Sequence, residues 1–196
     1  TGRYEGEECF NETRFVKYLD EVFVPMAEYA VSKGLYVVMR PPGVSPETIE
    51  LGGVYQEYLL KVWNIVAQHP KLKNHPNIMF ELANEPIDIL GPDGTYGAGT
   101  QGHFDHLKNY FQAIVDTIRV SADNILWIPG LGYQSLYAGY AVNPIEEENI
   151  GYAVHVYPGW FNSGQVYVPF QIGWDEKVQP GADFAPVMVN EMALAH

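Results

Sequence analysis

Cysteine, basic residues and glycine-rich phosphate loops are scarce or absent in this sequence, and each scarcity removes a class of function. The 196 residues hold one cysteine, Cys9, so no disulfide forms within the chain. With no visible base partner, that thiol reads as inert, and it leaves the redox compartment open. Lys and Arg number 11 against 24 Asp and Glu, a formal charge of −13. That balance repels phosphate backbones and anionic lipid, so neither nucleic acid nor membrane is an expected partner. No apolar run is long enough to span a bilayer, and no secretory leader is visible. The chain opens on Thr1 rather than Met, so an upstream segment is expected. No Gly-x-Gly-x-x-Gly follows a predicted strand, which disfavours a dinucleotide-binding sheet. No serine sits in a Gly-x-Ser-x-Gly elbow, so a serine hydrolase has no support. His103 and His106 stand at i, i+3 without a partnering glutamate motif and read as a solvated helix start. Asp93 in Gly91-Pro-Asp-Gly94 is too isolated for a calcium loop. No metal and no cofactor are expected.

What is present is a helix–strand alternation over one domain, residues 1–196. Hydrophobic residues reach 47%, enough for a sizeable core. Thr13 is placed to cap a helix running to about Lys33, with Pro25 kinking or dividing it and Gly34 stopping it. Further helices are predicted over about 54–69 and 104–120 from apolar residues at helical spacing. Trp63, on the first of these, reads as core. Five strands are predicted near 35–39, 77–83, 124–128, 151–157 and 186–190, all parallel. Residues 86–102 and 158–185 read as long loops of the kind that carry function. The order favours a β/α barrel.

Two of those strands end on glutamate. The run Asn77-Ile-Met-Phe-Glu-Leu-Ala-Asn-Glu-Pro86 is apolar on both faces, as a strand covered on both sides must be, and stops at Asn84 and Glu85. Pro86 biases Glu85 toward an extended backbone. Pro186-Val-Met-Val-Asn-Glu191 ends the same way. Carboxylates at the C-terminal lips of barrel strands sit where such folds keep their chemistry. Glu81 shares parity with Glu85 but lies deeper and reads as a buried, hydrogen-bonded structural carboxylate. On the strand near 151–157, His155 and Tyr157 share a face.

Phe80-Glu-Leu-Ala-Asn-Glu-Pro86, His155-Val-Tyr157 and Val187-Met-Val-Asn-Glu191 resemble, in that order, the fourth, sixth and seventh strand motifs of glycoside hydrolase family 5, the cellulase family. Lys33-Gly-Leu-Tyr-Val-Val38 is similar to its third strand. The resemblance implies a (β/α)8 TIM barrel of which this chain covers roughly the third to seventh strands, truncated at both ends. A full barrel takes about 250 residues. The family's early-strand arginine and its eighth-strand tryptophan have no counterpart, and Arg40-Pro-Pro-Gly43 stands where it usually offers a histidine. The implied missing segments leave room for pairing with them or with another chain.

The resemblance implies an endo-acting, retaining cellulase cleaving β-1,4-glucan, with mannan, xylan or xyloglucan as alternative substrates. A glycan-binding fragment without turnover is the alternative of another class. The resemblance makes Glu85 the acid/base and Glu191 the nucleophile. Asn84 would bind the hydroxyl beside the reacting carbon, Tyr157 would hold Glu191, and His155 would hold sugar hydroxyls or the acid/base. Trp160 and Trp174 read equally as sugar platforms or core. Arg40 reads equally as a substrate contact or a structural ion pair. The resemblance also implies an extracellular or periplasmic location.

Overall fold

A computed structural model describes residues 10–157 and 169–193. The chain begins with helix α1, Glu12–Tyr18, capped by Asn11, whose Oδ1 accepts the Arg14 N–H at 2.9 Å. The cap is therefore Asn11 rather than Thr13. A π-helical turn, Leu19–Phe23, separates α1 from α2, Val24–Ser32. Pro25 lies in the first turn of α2, where its missing N–H costs least. The expected kink thus takes the form of a widened turn just ahead of the proline. Gly34, at φ +78°, ends α2. Its N–H reaches Val31 O at 2.9 Å and the Leu35 N–H reaches Ala30 O at 3.2 Å, a Schellman stop.

Five parallel strands follow in the order β1 (Val37–Met39), β3 (Ile78–Glu81), β6 (Leu126–Pro129), β7 (Ile150–Val156) and β8 (Val187–Met192). Each neighbouring pair is parallel. This is the expected set, in sequence order, as a barrel wall requires. Helix α3, Val54–Gln68, packs on α4, Gln101–Arg119. Trp63 of α3 is 1% exposed, lies 5.2 Å from the Phe80 ring and donates its indole N–H to Leu82 O at 2.9 Å. Burying Phe80 alone is worth about 1.5–3 kcal/mol. Leu107, Phe111, Ile114 and Ile118 give α4 a fully buried stripe.

The five predicted strands are parallel as expected, and three further strands that the sequence does not announce lie in the loops. Short strands β2 (Thr48–Ile49), β4 (Asp88–Leu90) and β5 (Tyr96–Gly97) form a second sheet, with β4 and β5 antiparallel. Two short strands, β4 and β5, thus lie within the predicted loop 86–102. His103 and His106 explain why, and correct their reading as solvated. His103 is 5% exposed; its Nδ1 lies 2.8 Å from Thr100 Oγ1 and its Nε2 3.2 Å from Thr95 O. His106 Nδ1 lies 2.7 Å from Leu90 O. Both rings tether the loop to the start of α4. Among the described residues, no helix is long and apolar enough to cross a membrane.

Candidate active site

The C-terminal ends of β1, β3, β7 and β8 bring most of the sequence-identified residues together. Arg40 follows β1, Asn84 and Glu85 follow β3, His155 and Tyr157 close β7, and Glu191 lies near the end of β8. One carboxylate oxygen from each of Glu85 and Glu191 and a ring nitrogen of His155 lie within 4.8 Å of one another. Trp160 lies outside the described residues. Trp174 sits in helix α5, Phe170–Lys177, packs against the core and donates its indole N–H to Gln179 Oε1 at 3.1 Å.

Every polar oxygen of Glu191 is held. Tyr157 donates its hydroxyl to Oε1 at 2.6 Å, and Arg40 Nη1 donates to Oε2 at 2.9 Å. His155 Nδ1 stands 3.4 Å from Oε2. Partial burial works against the charge on Glu191, but Tyr157, Arg40 and His155 outweigh it and keep its pKa below the usual range. The same contact pushes the Tyr157 hydroxyl up to about 12, so it stays a donor. Arg40 Nη1 also donates to Asn84 Oδ1 at 2.6 Å, tying the ends of β1 and β3 to that of β8.

Glu85 Oε1 lies 2.9 Å from His155 Nδ1. The His155 side chain is fully buried among three carboxylates. Burial opposes a charged ring, yet Glu81, Glu85 and Glu191 together raise its pKa. Nε2 lies 3.5 Å from Glu81 Oε1 without hydrogen-bond geometry, so that coupling is electrostatic. Glu81 is buried and hydrogen-bonded, as read from the sequence: Oε1 accepts from Gln134 Nε2 at 3.0 Å and Oε2 from Asn190 Nδ2 at 2.7 Å. It is also the floor of the site. A cation has a donor set in Glu85, His155 and Glu191, but it would have to displace Arg40 from Glu191 and the proton from His155 Nδ1.

Three features escaped the sequence. First, Glu85 is not extended; its φ is +53°, in the left-handed region, against the bias imposed by Pro86. A non-glycine residue there costs about 1–2 kcal/mol. The Glu85 N–H is satisfied by Gln134 Oε1 at 2.8 Å, which holds the conformation. Second, Gln134 itself is fully buried. No periodic pattern marks it. Third, β8 carries a bulge. Val154 pairs with Val189 but His155 pairs with Glu191, so Asn190 is the extra residue. A regular strand turns consecutive side chains to opposite faces. The bulge lets Asn190 reach Glu81 and Glu191 meet Tyr157 on the same side.

The described site keeps one carboxylate charged with a second carboxylate and an imidazole a few ångströms away. Residues 25–182 match the model of the cellulase family, glycosyl hydrolase family 5. An endoglucanase of Bacillus sp. (strain KSM-635) is 30% identical over 170 residues, covering 83% of this chain and 16% of that protein. The catalytic domain of Thermobifida fusca endoglucanase Cel5A superimposes with a TM-score of 0.60 at 21% identity, covering 93% of this chain and 53% of that one. The β-glucanase SdGluc5_26A from Saccharophagus degradans, in complex with cellotetraose, gives 0.67 at 22% identity, covering 95% and 57%. This chain thus spans about half the length of those solved structures, and its five parallel strands form a partial (β/α)8 barrel. The chain belongs to glycosyl hydrolase family 5, the cellulase family.

Proposed function

We propose that this chain carries the catalytic pair of a retaining, endo-acting β-1,4-glucanase. The observation that carries the reading is the unequal treatment of two adjacent carboxylates. Glu191 is held ionised by Tyr157, Arg40 and His155, while among the described residues Glu85, within reach of it, has no cationic side chain beside it but the shared His155. Retaining glycosidases place their carboxyl groups about 5–5.5 Å apart. Glu191 attacks the anomeric carbon as Glu85 gives its proton to the departing glycosidic oxygen. The glycosyl–Glu191 ester then forms, and water, deprotonated by Glu85, displaces it with net retention. Asn84, held by Arg40, faces the hydroxyl next to the reacting carbon. Trp160, which follows β7 in the sequence, is proposed as a sugar platform. No cofactor is needed for these steps.

The substrate is a β-linked glucan, supported by the endoglucanase relatives and by the cellotetraose complex of the Saccharophagus β-glucanase. An extracellular or periplasmic location is part of this proposal. Reducing-sugar release from cellulose derivatives, mannan, xylan and xyloglucan, beside a Glu191→Gln control, tests the proposal. Release from β-glucan that disappears in the control is expected. Cleavage of mannan alone would overturn the substrate, and equal rates for both proteins would overturn the nucleophile. Retention of glycan without any release would make the chain a binding fragment.

A further inference from the structure

We propose that Gln134 is a positioning residue for Glu85, holding the peptide that carries the proton donor in a conformation it would not otherwise adopt. The inference rests on the reading of Glu85 as acid/base. Gln134 is fully buried, and its carboxamide makes three hydrogen bonds. Oε1 accepts the Glu85 N–H at 2.8 Å, while Nε2 donates to Glu81 Oε1 and to Ala153 O, each at 3.0 Å. Only one amide orientation satisfies these partners, because a peptide N–H must meet oxygen and two acceptors must meet NH₂. The side chain therefore ties β7, the floor carboxylate and the Glu85 backbone into one unit.

The backbone around Gln134 is as unusual as that of Glu85. Gly132, Tyr133 and Gln134 take φ of 57°, 58° and 60°, three successive left-handed residues. This turn grips the segment after Glu85 at two more points: the Gly132 N–H donates to Ile87 O at 3.0 Å and the Tyr133 N–H to Pro86 O at 3.2 Å. Ser135 locks the turn by donating its hydroxyl to Gly132 O at 2.7 Å. Two strained segments are thus interlocked, and the Gln134 side chain links them. Without its oxygen, Glu85 has a half-buried unpaired N–H and a preference, set by Pro86, for extended backbone. The carboxyl would then leave His155 Nδ1.

Gln134→Met keeps length and volume but removes the amide. Two measurements on this variant separate positioning from general stability. The first is hydrogen exchange of the Glu85 amide, expected to accelerate about tenfold or more while amides of β6 and β7 stay protected. The second is kcat/KM on aryl β-cellobiosides with poor and good leaving groups, with Glu85→Ala as reference. Departure of a phenolate such as dinitrophenolate needs no proton, whereas a poor leaving group does. A loss of about tenfold or more on the phenyl glycoside, with less than about twofold on the dinitrophenyl one, is expected. Equal losses on both substrates, or an unchanged Glu85 amide, would overturn the inference. Should Glu85→Ala itself show no leaving-group selectivity, the acid/base reading falls, and the amide exchange alone decides whether Gln134 holds this backbone. If Gln134→Met does not fold, Gln134→Asn, short by one methylene, supplies the same comparison.

Discussion

At the scale of single residues, Tyr157 and Asn124 show how one polar side chain acts at opposite ends of the sheet. Tyr157 donates to Glu191 and favours its charged form. Tyr157→Phe removes that preference, so the pKa of Glu191 rises and the acid limb of the kcat/KM profile moves to higher pH. Hydrogen bonds to charged groups are worth about 1.5–3 kcal/mol, and Glu191 is a third exposed, so the loss lies at the low end of that range. An acid limb that stays in place would show that Tyr157 does not set the charge on Glu191. Asn124, at the start of β6, is buried and donates Nδ2 to Leu72 O at 3.0 Å and Ile78 O at 2.8 Å, while Oδ1 accepts the Asn74 N–H at 2.8 Å. It pins the connector 69–77 beneath β3. Asn124→Ala leaves those groups unpaired and should cost about 2–3 kcal/mol in urea unfolding without changing the pH profile. A loss under about 0.5 kcal/mol would mean that water replaces the side chain.

At the scale of elements, what was legible in the sequence follows what is local. The five wall strands announce themselves because each is an apolar run bounded by Gly, Pro or Asn, and Glu85 and Glu191 because each interrupts such a run at its end. β2, β4 and β5 were invisible because strands of two or three residues have no period to detect. The bulge at Asn190 was invisible because it is a property of the β7–β8 pair, not of either strand. Gln134 and the left-handed backbone of Glu85 were missed for a related reason: each explains the other, across 49 positions. His103 belongs here too, since its spacing to His106 carries no sign of the loop it serves. The ring is packed so closely that a Cβ added to Gly97 would stand 2.8 Å from His103 Cε1. His103→Ala should therefore release β4–β5 from α4, at a cost of about 2 kcal/mol from lost packing and hydrogen bonds. Limited proteolysis is expected to cut between 91 and 97 in the variant and not in the parent. Resistance in both would show that the small sheet holds without the ring.

At the scale of the whole molecule, the site is also a contributor to the stability of the fold, because it joins the two flanking strands of the five-stranded sheet. Arg40, after β1, reaches Glu191 of β8, and His155 couples β7 to both glutamates. Their ionisation therefore links pH to folding. The folded pKa of Glu191 lies below its ordinary value of 4.5, so its contribution is fully present above 4.5 and is lost as pH falls through the lower, folded value. His155 is shifted the other way, above 6.5, so its contribution is fully present below 6.5 and is lost as pH rises through the higher, folded value. The two windows overlap between 4.5 and 6.5, where the melting temperature should be highest. Asp93, Asp105 and Glu146 are also held below the usual range, so a falling acid limb by itself does not single out Glu191. The variants do. Glu191→Gln should lower the melting temperature most in the overlap and flatten part of the acid limb. His155→Asn should remove the decline above about pH 6.5 while leaving the acid limb from the surface carboxylates in place. Melting profiles that run parallel to the parent across the whole range would mean that the cluster is electrostatically balanced in the unfolded chain as well, and that the flanking strands are joined by packing alone.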